Sequence, residues 1–238
     1  MPLGIRPRLW PTLAAIAGIA VFVRLGFWQL HRAHQAQAQK DAYQARIKRT
    51  PMAPGGGLWD PAKLRFRRVA VSGRYDARHQ ILLDNQFSGA NVGYDVLTPL
   101  RLAHSRFRVL VNRGWIPFNG DRAHPPAAPP PKGRQQVVGL VSVPGRYFRL
   151  GRPRPPYPWH MVWEYLDLKL YRRAAPFPVE PVVILLSPRS TGGYVRHWPP
   201  AGTKVAMYEG YAVQWFLFAF IVVVIFVVVN RPKHHDNK

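Results

Sequence analysis

Two histidine pairs have a spacing that could serve a metal or haem site. His31 and His34 lie three residues apart just after an apolar run, so a helix would place both on one face. Such a pair could hold a metal ion or haem iron, and the alternative is a polar helix face in contact with water. His234 and His235 lie in a polar tail, where simple solvation is the better interpretation.

The sequence lacks the patterns of well-known catalytic centres. It contains no GxSxG elbow, no Walker loop and no HExxH zinc motif. Its acidic residues are scattered, and Asp84 and Asp95 adjoin predicted strands, where they would cap turns. Since the chain has no cysteine, it cannot form disulfides, thiolate metal sites or cysteine nucleophiles. These patterns therefore identify no catalytic site, and they exclude metal sites built on thiolates.

The C-terminal apolar run is long enough to cross a membrane. Residues 211–229 contain no charge and a single amide, Gln214. As a helix they would extend about 28 Å, close to the roughly 30 Å hydrocarbon core of a bilayer. The pattern predicts a transmembrane helix over 210–229.

The N-terminal apolar run predicts a second span over 9–30. Arg24 interrupts it, but a long side chain near the helix end can extend to the interface, and Trp28 suits the interfacial aromatic belt. The alternative is a cleaved signal peptide with a small-x-small site at residues 36–38. Because that site lies twelve residues beyond the apolar centre, we expect the segment to be retained as a helix.

The ends of the two spans mirror each other. The first run ends with Trp28-Gln29 and the second begins with Gln214-Trp215. Both amides would then lie at similar depth, where each could serve as the other's hydrogen-bond partner. We predict that the helices pack with Gln29 and Gln214 within reach of each other; the alternative is that each amide binds interfacial water.

The region between the spans, 31–209, is predicted to be a mainly β domain of α+β type. Residues 31–49 lack Pro and Gly and should extend the first helix into water. Strands are predicted at 67–75, 80–84, 94–100, 106–112, 135–143 and 181–186, and a helix at 164–174. The Pro-rich stretches 124–133 and 152–158 should be extended. The predicted fold is two terminal transmembrane helices, flanked by short ends (1–8 and 230–238), carrying a β domain for which a barrel is one arrangement.

The domain is strongly basic. Residues 31–209 contain 28 Lys and Arg against 10 Asp and Glu, a difference of +18. Such a surface attracts phosphate, in nucleic acid or in lipid head groups. Since no nucleic-acid-binding motif accompanies the charge, membrane lipid is the expected partner and nucleic acid is not. Charge counts near the spans leave the orientation open.

The order of several segments resembles that of the surfeit locus protein 1 family, the assembly proteins of cytochrome c oxidase. The segments are GFWQLHR (26–32), VSGRY (71–75), GYDVLTPL (93–100), VLVNRGWIP (109–117) and GYAVQWFLFA (210–219). The resemblance runs from about residue 10 to residue 229. It implies a multi-pass protein of the inner membrane with a periplasmic domain and cytoplasmic termini. It also implies a non-enzymatic role in the maturation of oxidase subunit I around haem a insertion, with haem a synthase as a further candidate partner.

The family's motifs correspond to three groups of residues in this chain. The first-span motif matches Gly26, Trp28, Gln29, Leu30 and Arg32. The strand motif matches Asn112, Arg113, Gly114, Trp115 and Pro117. The second-span motif matches Gly210, Tyr211, Ala212, Trp215 and Phe216. The resemblance implies that the helix ending in GFWQLHR helps to form a docking surface within the membrane.

The sequence departs from the family at a position associated with haem binding. The family commonly has His two residues before the glycine of the second span, and here that residue is Tyr208. A second departure is at residues 84–86, where the tripeptide DNR that is frequent in the family is replaced by DNQ. Tyrosinate can ligate haem iron, so Tyr208 is a candidate ligand, and His31 or His34 could ligate the iron in its place. The alternative is that Tyr208 is an aromatic residue of the membrane interface and binds no iron. Haem a is therefore a candidate cofactor that would be bound only transiently. Two other functions stay open: a haem carrier or accessory to haem a synthesis, and a two-span sensor or transporter accessory.

Overall fold

The computed structural model describes residues 8–145 and 161–231, which form two compact units. One unit contains the two terminal helices (Met1–Tyr43 with Pro200–Lys238), and the other is the domain Gln44–Pro199. The Pro-rich stretch 152–158 and the pair His234-His235 lie outside the described residues.

The first unit is a pair of long helices, α1 (Leu9–Ile47) and α4 (Val205–Val229). Both are long and apolar enough to span a membrane. Helix α1 continues without interruption from the predicted span into the predicted extension. Helix α4 begins five residues before the predicted span, so that Tyr208 lies in its N-terminal part.

The domain is built on a closed five-stranded barrel, which confirms the predicted mainly β fold. Its strands are β1 (Arg68–Tyr75), β2 (Ile81–Ser88), β3 (Asn91–Leu102), β4 (Arg108–Pro117), β5 (Gln135–Ser142), β6 (Val162–Trp163) and β7 (Val179–Leu186). The order β1-β5-β7-β4-β3 closes by pairing of β1 with β3, and β2 and β6 extend the sheet beyond β3. Two short helices, α2 (Pro61–Leu64) and α3 (Leu168–Ala174), complete it.

Several elements differ in length from the sequence prediction. Strands β2 and β3 form a longer hairpin than predicted, because a bulge between Leu83 and Gln86 lets pairing continue through polar residues. Strand β4 continues past Asn112 to Pro117. Helix α3 starts at Leu168 rather than 164, since the Asp167 carboxylate caps it by accepting from the Leu170 N–H at 2.9 Å.

Aliphatic side chains from the barrel strands form the main core. They include Val69, Leu100, Val109, Val111, Val141, Val182 and Ile184, each almost completely buried. A second cluster lies between the sheet and α3, centred on Tyr171 and Leu110. Strand β4, which carries the strand motif, contributes Val111 to the first core and Leu110 to the second.

Asp76 is at the centre of a part-buried polar cluster beside the barrel. Its carboxylate accepts hydrogen bonds from His79 Nδ1 at 2.8 Å and from the Arg108 guanidinium. Burial acts to raise the pKa of Asp76, but hydrogen bonds from His79 and the Arg78 N–H, with nearby positive charge, outweigh it. The pKa therefore lies below its ordinary value.

We expect Asp76→Asn to lower the melting temperature by about 2–4 °C near neutral pH, equivalent to about 1 kcal/mol. A carboxyl group whose pKa falls on folding stabilises the fold above its unfolded pKa, and this contribution disappears as pH falls through the folded pKa. The difference between variant and wild type should therefore shrink as pH falls below the ordinary pKa of an aspartate, about 3.9. Thermal unfolding followed by tryptophan fluorescence across this range measures it. A difference that stays constant with pH would contradict the assignment.

Candidate functional site

Small residues form the contact between α1 and α4. Gly26, Ala33 and Ala36 are the buried residues of α1, and Ala212 and Ala219 are those of α4. On each helix two of them are seven residues apart, so they repeat on one face. Small side chains on one helix leave room for larger side chains of the other, a common feature of helix association in an apolar solvent.

Aromatic rings fill the space above this small-residue contact. A Cβ added at Gly26 would lie 2.6 Å from Phe216 Cε1, so the ring occupies the place of a side chain. Phe27 meets Phe216 edge-on at 5.5 Å, and Phe22 stacks on Trp215 at 5.8 Å between centroids. Gly26, Trp215 and Phe216, predicted from the two span motifs, therefore lie together.

The predicted pairing of Gln29 with Gln214 is wrong, although the helices do pack. Gln214 is exposed, and Gln29 Oε1 is buried with no hydrogen-bond partner among the described residues. The reason is rotational: Ala212, Phe216 and Ala219 define the contact face of α4, and Gln214 lies about 200° around the helix from Ala212.

Arg32 and Tyr208 join the two helices at one end of the apolar contact. Arg32 Nη2 donates to the Tyr208 hydroxyl at 3.4 Å, and the guanidinium carbon lies 5.4 Å from the ring centroid. Beside them is a cavity of about 240 Å³. Its lining comprises Arg32, Gln35, Ala36, Gln39, Gly202, Thr203, Lys204 and Tyr208.

The turn before α4 lies in close contact with α1 at Gly202. Its φ is +71°, and a Cβ there would lie 2.4 Å from the Ala36 carbonyl oxygen. A residue with a side chain would meet both a strained backbone conformation and a backbone collision. Gly202 thus fixes the position of Lys204 and the start of α4.

The structure does not bring the two histidines of α1 into this cavity. His31 is exposed, with its Nε2 2.9 Å from Gln35 Nε2, and His34 is also exposed. No group of three or more His, Asp or Glu with metal-binding geometry occurs within residues 8–145 and 161–231. Of the three possible haem-associated residues, only Tyr208 lines the cavity.

Other members of the span motifs point away from the helix contact. Trp28 and Tyr211 are 54% and 45% exposed, and Gly210 has no atom within 4 Å of a Cβ position. Leu30 is half-buried. Together the motifs therefore cover two surfaces, one between the helices and one facing outward.

The strand motif lies within β4, at a register shift in its pairing with β3 between Asp95 and Leu97. Asn112 Nδ2 donates to Asp95 at 2.9 Å, and its Oδ1 accepts from the Gly114 N–H at 3.0 Å. Gly114 has φ +113° and lies against the Val195 carbonyl, so a side chain cannot fit there. Burial raises the pKa of Asp95, and the bond from Asn112 acts against this.

Arg113 is the largest fully buried polar side chain of the domain, at 2% exposure. It donates to the carbonyls of Gly192, Ala128 and Pro129, and to the side chains of Gln80 and Thr98.

The surroundings of the Arg113 guanidinium are neutral. It lies 5.5 Å from the Tyr75 ring centroid and 5.0 Å from that of Tyr194. Burial raises the pKa of Tyr75 to about 12, so its ring stays neutral beside the cation. No carboxylate pairs with Arg113 within the described part of the chain. The residue therefore connects two loops to the barrel wall.

Trp115 and Pro117 complete the motif at the end of β4. Trp115 Nε1 donates to the Gln86 carbonyl at 3.0 Å, and Pro117 pairs with Gly93 on β3. The motif thus stabilises the β2–β3 hairpin, and its residues lie in the domain rather than at the helix contact.

Several residues of the helix contact are missing from the sequence-based prediction. They are Phe22, Ala33, Ala36, Gly202, Lys204 and Ala219. The seven-residue spacing of Gly26 and Ala33, and of Ala212 and Ala219, is a signal that could have found the small-residue faces. Gly202 and Lys204 belong to no pattern, since their role depends on the tertiary fold.

Comparison with known proteins gives consistent matches along the chain. The profile of the SURF1 family matches residues 16–220. A SURF1-like protein of Monosiga brevicollis is 25% identical over 224 residues, covering 87% of this chain and 82% of the relative. A SURF1-like protein of Drosophila melanogaster is 28% identical over 217 residues, covering 81% and 68%. Surfeit locus protein 1 of Xenopus tropicalis is 26% identical over 228 residues, covering 86% and 70%.

Proposed function

The chain belongs to the SURF1 family, whose members are associated with cytochrome c oxidase assembly, and we propose that it assists the maturation of oxidase subunit I around haem a insertion. The observation that carries the proposal is the close packing of α1 and α4 through Gly26 and Phe216. These residues belong to the motifs that the sequence shares with the family.

The packed helices leave an outward apolar surface for a partner. Trp28, Tyr211 and Phe220 are large, exposed side chains of α1 and α4. In an apolar solvent a helix partner is recognised by shape rather than by the hydrophobic effect. A fixed helix pair supplies such a shape, and we propose that helices of subunit I dock on it.

The residues around the helix-end cavity do not fit a haem group. At about 240 Å³ the cavity is smaller than the roughly 300–1,000 Å³ sites that enclose organic ligands. Tyr208 is the one oxygen ligand among its described lining that resembles a known haem ligand, and its hydroxyl already accepts from Arg32. We therefore assign no iron ligand to this chain, and the proposed role needs no catalytic step.

We further propose an orientation with the β domain in the periplasm and both termini in the cytoplasm. Because the chain has no cysteine, single cysteines can report it. Lys63→Cys, at a side chain 84% exposed in the domain, should react with a membrane-impermeant maleimide in spheroplasts. Lys233→Cys, near the C-terminal end of the sequence, should react only after lysis. Labelling of Lys233→Cys before lysis, with Lys63→Cys protected, would reverse the orientation.

The function is tested by a reduced-minus-oxidised spectrum of membranes from a gene-deletion strain, with oxidase activity measured alongside. We expect loss of the haem a signal and of activity, restored by the gene. Unchanged spectrum and activity in the deletion strain would favour a sensor or transporter accessory. Tyr208→Phe should restore oxidase activity to nearly the level that the wild-type gene restores. If this variant does not restore activity, the haem-carrier alternative would be favoured.

A further inference from the structure

The cavity at the end of the helix contact is lined by two cationic side chains. Arg32 and Lys204 both line it. Neither has a carboxylate oxygen within 4.0 Å among the described residues. The Arg32 guanidinium is oriented by the Tyr208 ring and hydroxyl. Two positive charges that line one cavity favour an anionic occupant.

The remaining polar lining of the cavity suits phosphate oxygens. The side-chain amides of Gln35 and Gln39 and the hydroxyl of Thr203 can donate hydrogen bonds. Lys204 is also the N-cap residue of α4, so the unpaired N–H groups of the first turn add positive potential at the same place. The cavity volume of about 240 Å³ accommodates a head group.

The location of the cavity indicates that its ligand is amphiphilic. Arg32 follows the apolar run of α1 by two residues, and Tyr208 precedes that of α4 by three. The exposed rings of Trp28 and Tyr211 adjoin the same ends of these runs. In a membrane this level is that of the lipid phosphates, where aromatic and basic side chains collect.

We propose that this cavity binds the phosphate of an anionic phospholipid. Arg32 and Lys204 neutralise the phosphate, Gln35 and Thr203 donate to its oxygens, and the acyl chains lie along the apolar surface below. The bound lipid bridges α1 and α4. A zwitterionic lipid binds more weakly, because its own cation competes with Arg32 and Lys204. This inference is independent of the proposed oxidase role, and its test has no oxidase readout.

Native mass spectrometry of the full-length protein in detergent tests the site with phosphatidylglycerol as the probe. Each of Arg32→Gln and Lys204→Gln should weaken binding about tenfold, as expected for loss of one charge-assisted contact. Phosphatidylcholine with the same chains should bind about tenfold more weakly to the wild type. Lys48→Gln removes an equal charge that does not line the cavity and should leave binding unchanged. Arg32→Lys should bind better than Arg32→Gln, which separates lost charge from misfolding.

Three results would overturn the proposal. Wild-type affinity in both Gln variants would show that the lipid binds elsewhere. Equal affinity for phosphatidylglycerol and phosphatidylcholine would show that charge is not recognised. Displacement of the lipid by an equal concentration of inorganic phosphate would show a site for free phosphate instead.

Discussion

Arg113→Met is expected to lower the melting temperature of the β domain by about 6–12 °C, equivalent to roughly 3 kcal/mol or more. Methionine matches the length of the arginine stem but has no donor. The carbonyls of Gly192, Ala128 and Pro129 would each lose a hydrogen bond. A buried acceptor without a partner costs about 1–3 kcal/mol. Thermal unfolding of the full-length protein in detergent, followed by tryptophan fluorescence, measures the change.

Arg74→Met is the matched control for this prediction. Arg74 lies on β1 and is exposed, so the same substitution should change stability by no more than about 0.5 kcal/mol. Arg113→Lys should also destabilise the domain, because one ammonium cannot reach all the acceptors that the planar fork serves. A melting temperature of Arg113→Met within about 2 °C of wild type would show that the network is not stabilising.

Gly26→Leu is expected to reduce oxidase activity in membranes about tenfold. The new side chain must occupy the place of the Phe216 ring, since even a Cβ would lie 2.6 Å from it. Overpacking of this kind costs about 1–3 kcal/mol, and each 1.4 kcal/mol is about a factor of ten in an equilibrium. The helices would separate or rotate, and the surface they present together would be lost. Oxidase activity in a complemented deletion strain, at equal protein level, measures the effect.

Gly18→Leu and a size exchange are the controls for the helix contact. Gly18 lies eight residues earlier on α1 with nothing within 4 Å of a Cβ position, so Gly18→Leu should support normal activity. Adding Phe216→Ala to Gly26→Leu should restore part of the activity, because the smaller alanine frees space for the new leucine side chain. Full activity of Gly26→Leu alone would contradict the proposal that the packed helices carry the function.

Hydrophobic patterning predicted the architecture well. The apolar runs over 9–30 and 210–229 predicted both helices, and the short segments rich in Val, Ile, Leu and Tyr predicted six of the seven strands found among the described residues. Strand ends were less predictable, because the β2–β3 hairpin is extended by a bulge at polar residues. The closing of the barrel through β1 and β3 depends on long-range pairing that leaves no local signal.

The site residues were predicted in part. Gly26, Trp215 and Phe216 could be named because they belong to the shared motifs, and the structure places them in one contact. The pairing of Gln29 with Gln214 failed, since similar depth along two helices does not determine rotation. The cavity could not be foreseen, because Lys204 and Arg32 are far apart in sequence and meet only through the turn at Gly202.

Site-specific photo-cross-linking from α4 tests the central claim most directly. A photoreactive amino acid at Tyr211, which is 45% exposed, should give an adduct containing oxidase subunit I in cells that are assembling the oxidase. The same amino acid at Arg74, exposed on the domain, should give no such adduct. The same photoreactive amino acid at Trp28 provides a second probe. If both derivatives restore oxidase activity but neither forms an adduct with subunit I, docking of subunit I on the helix pair is contradicted.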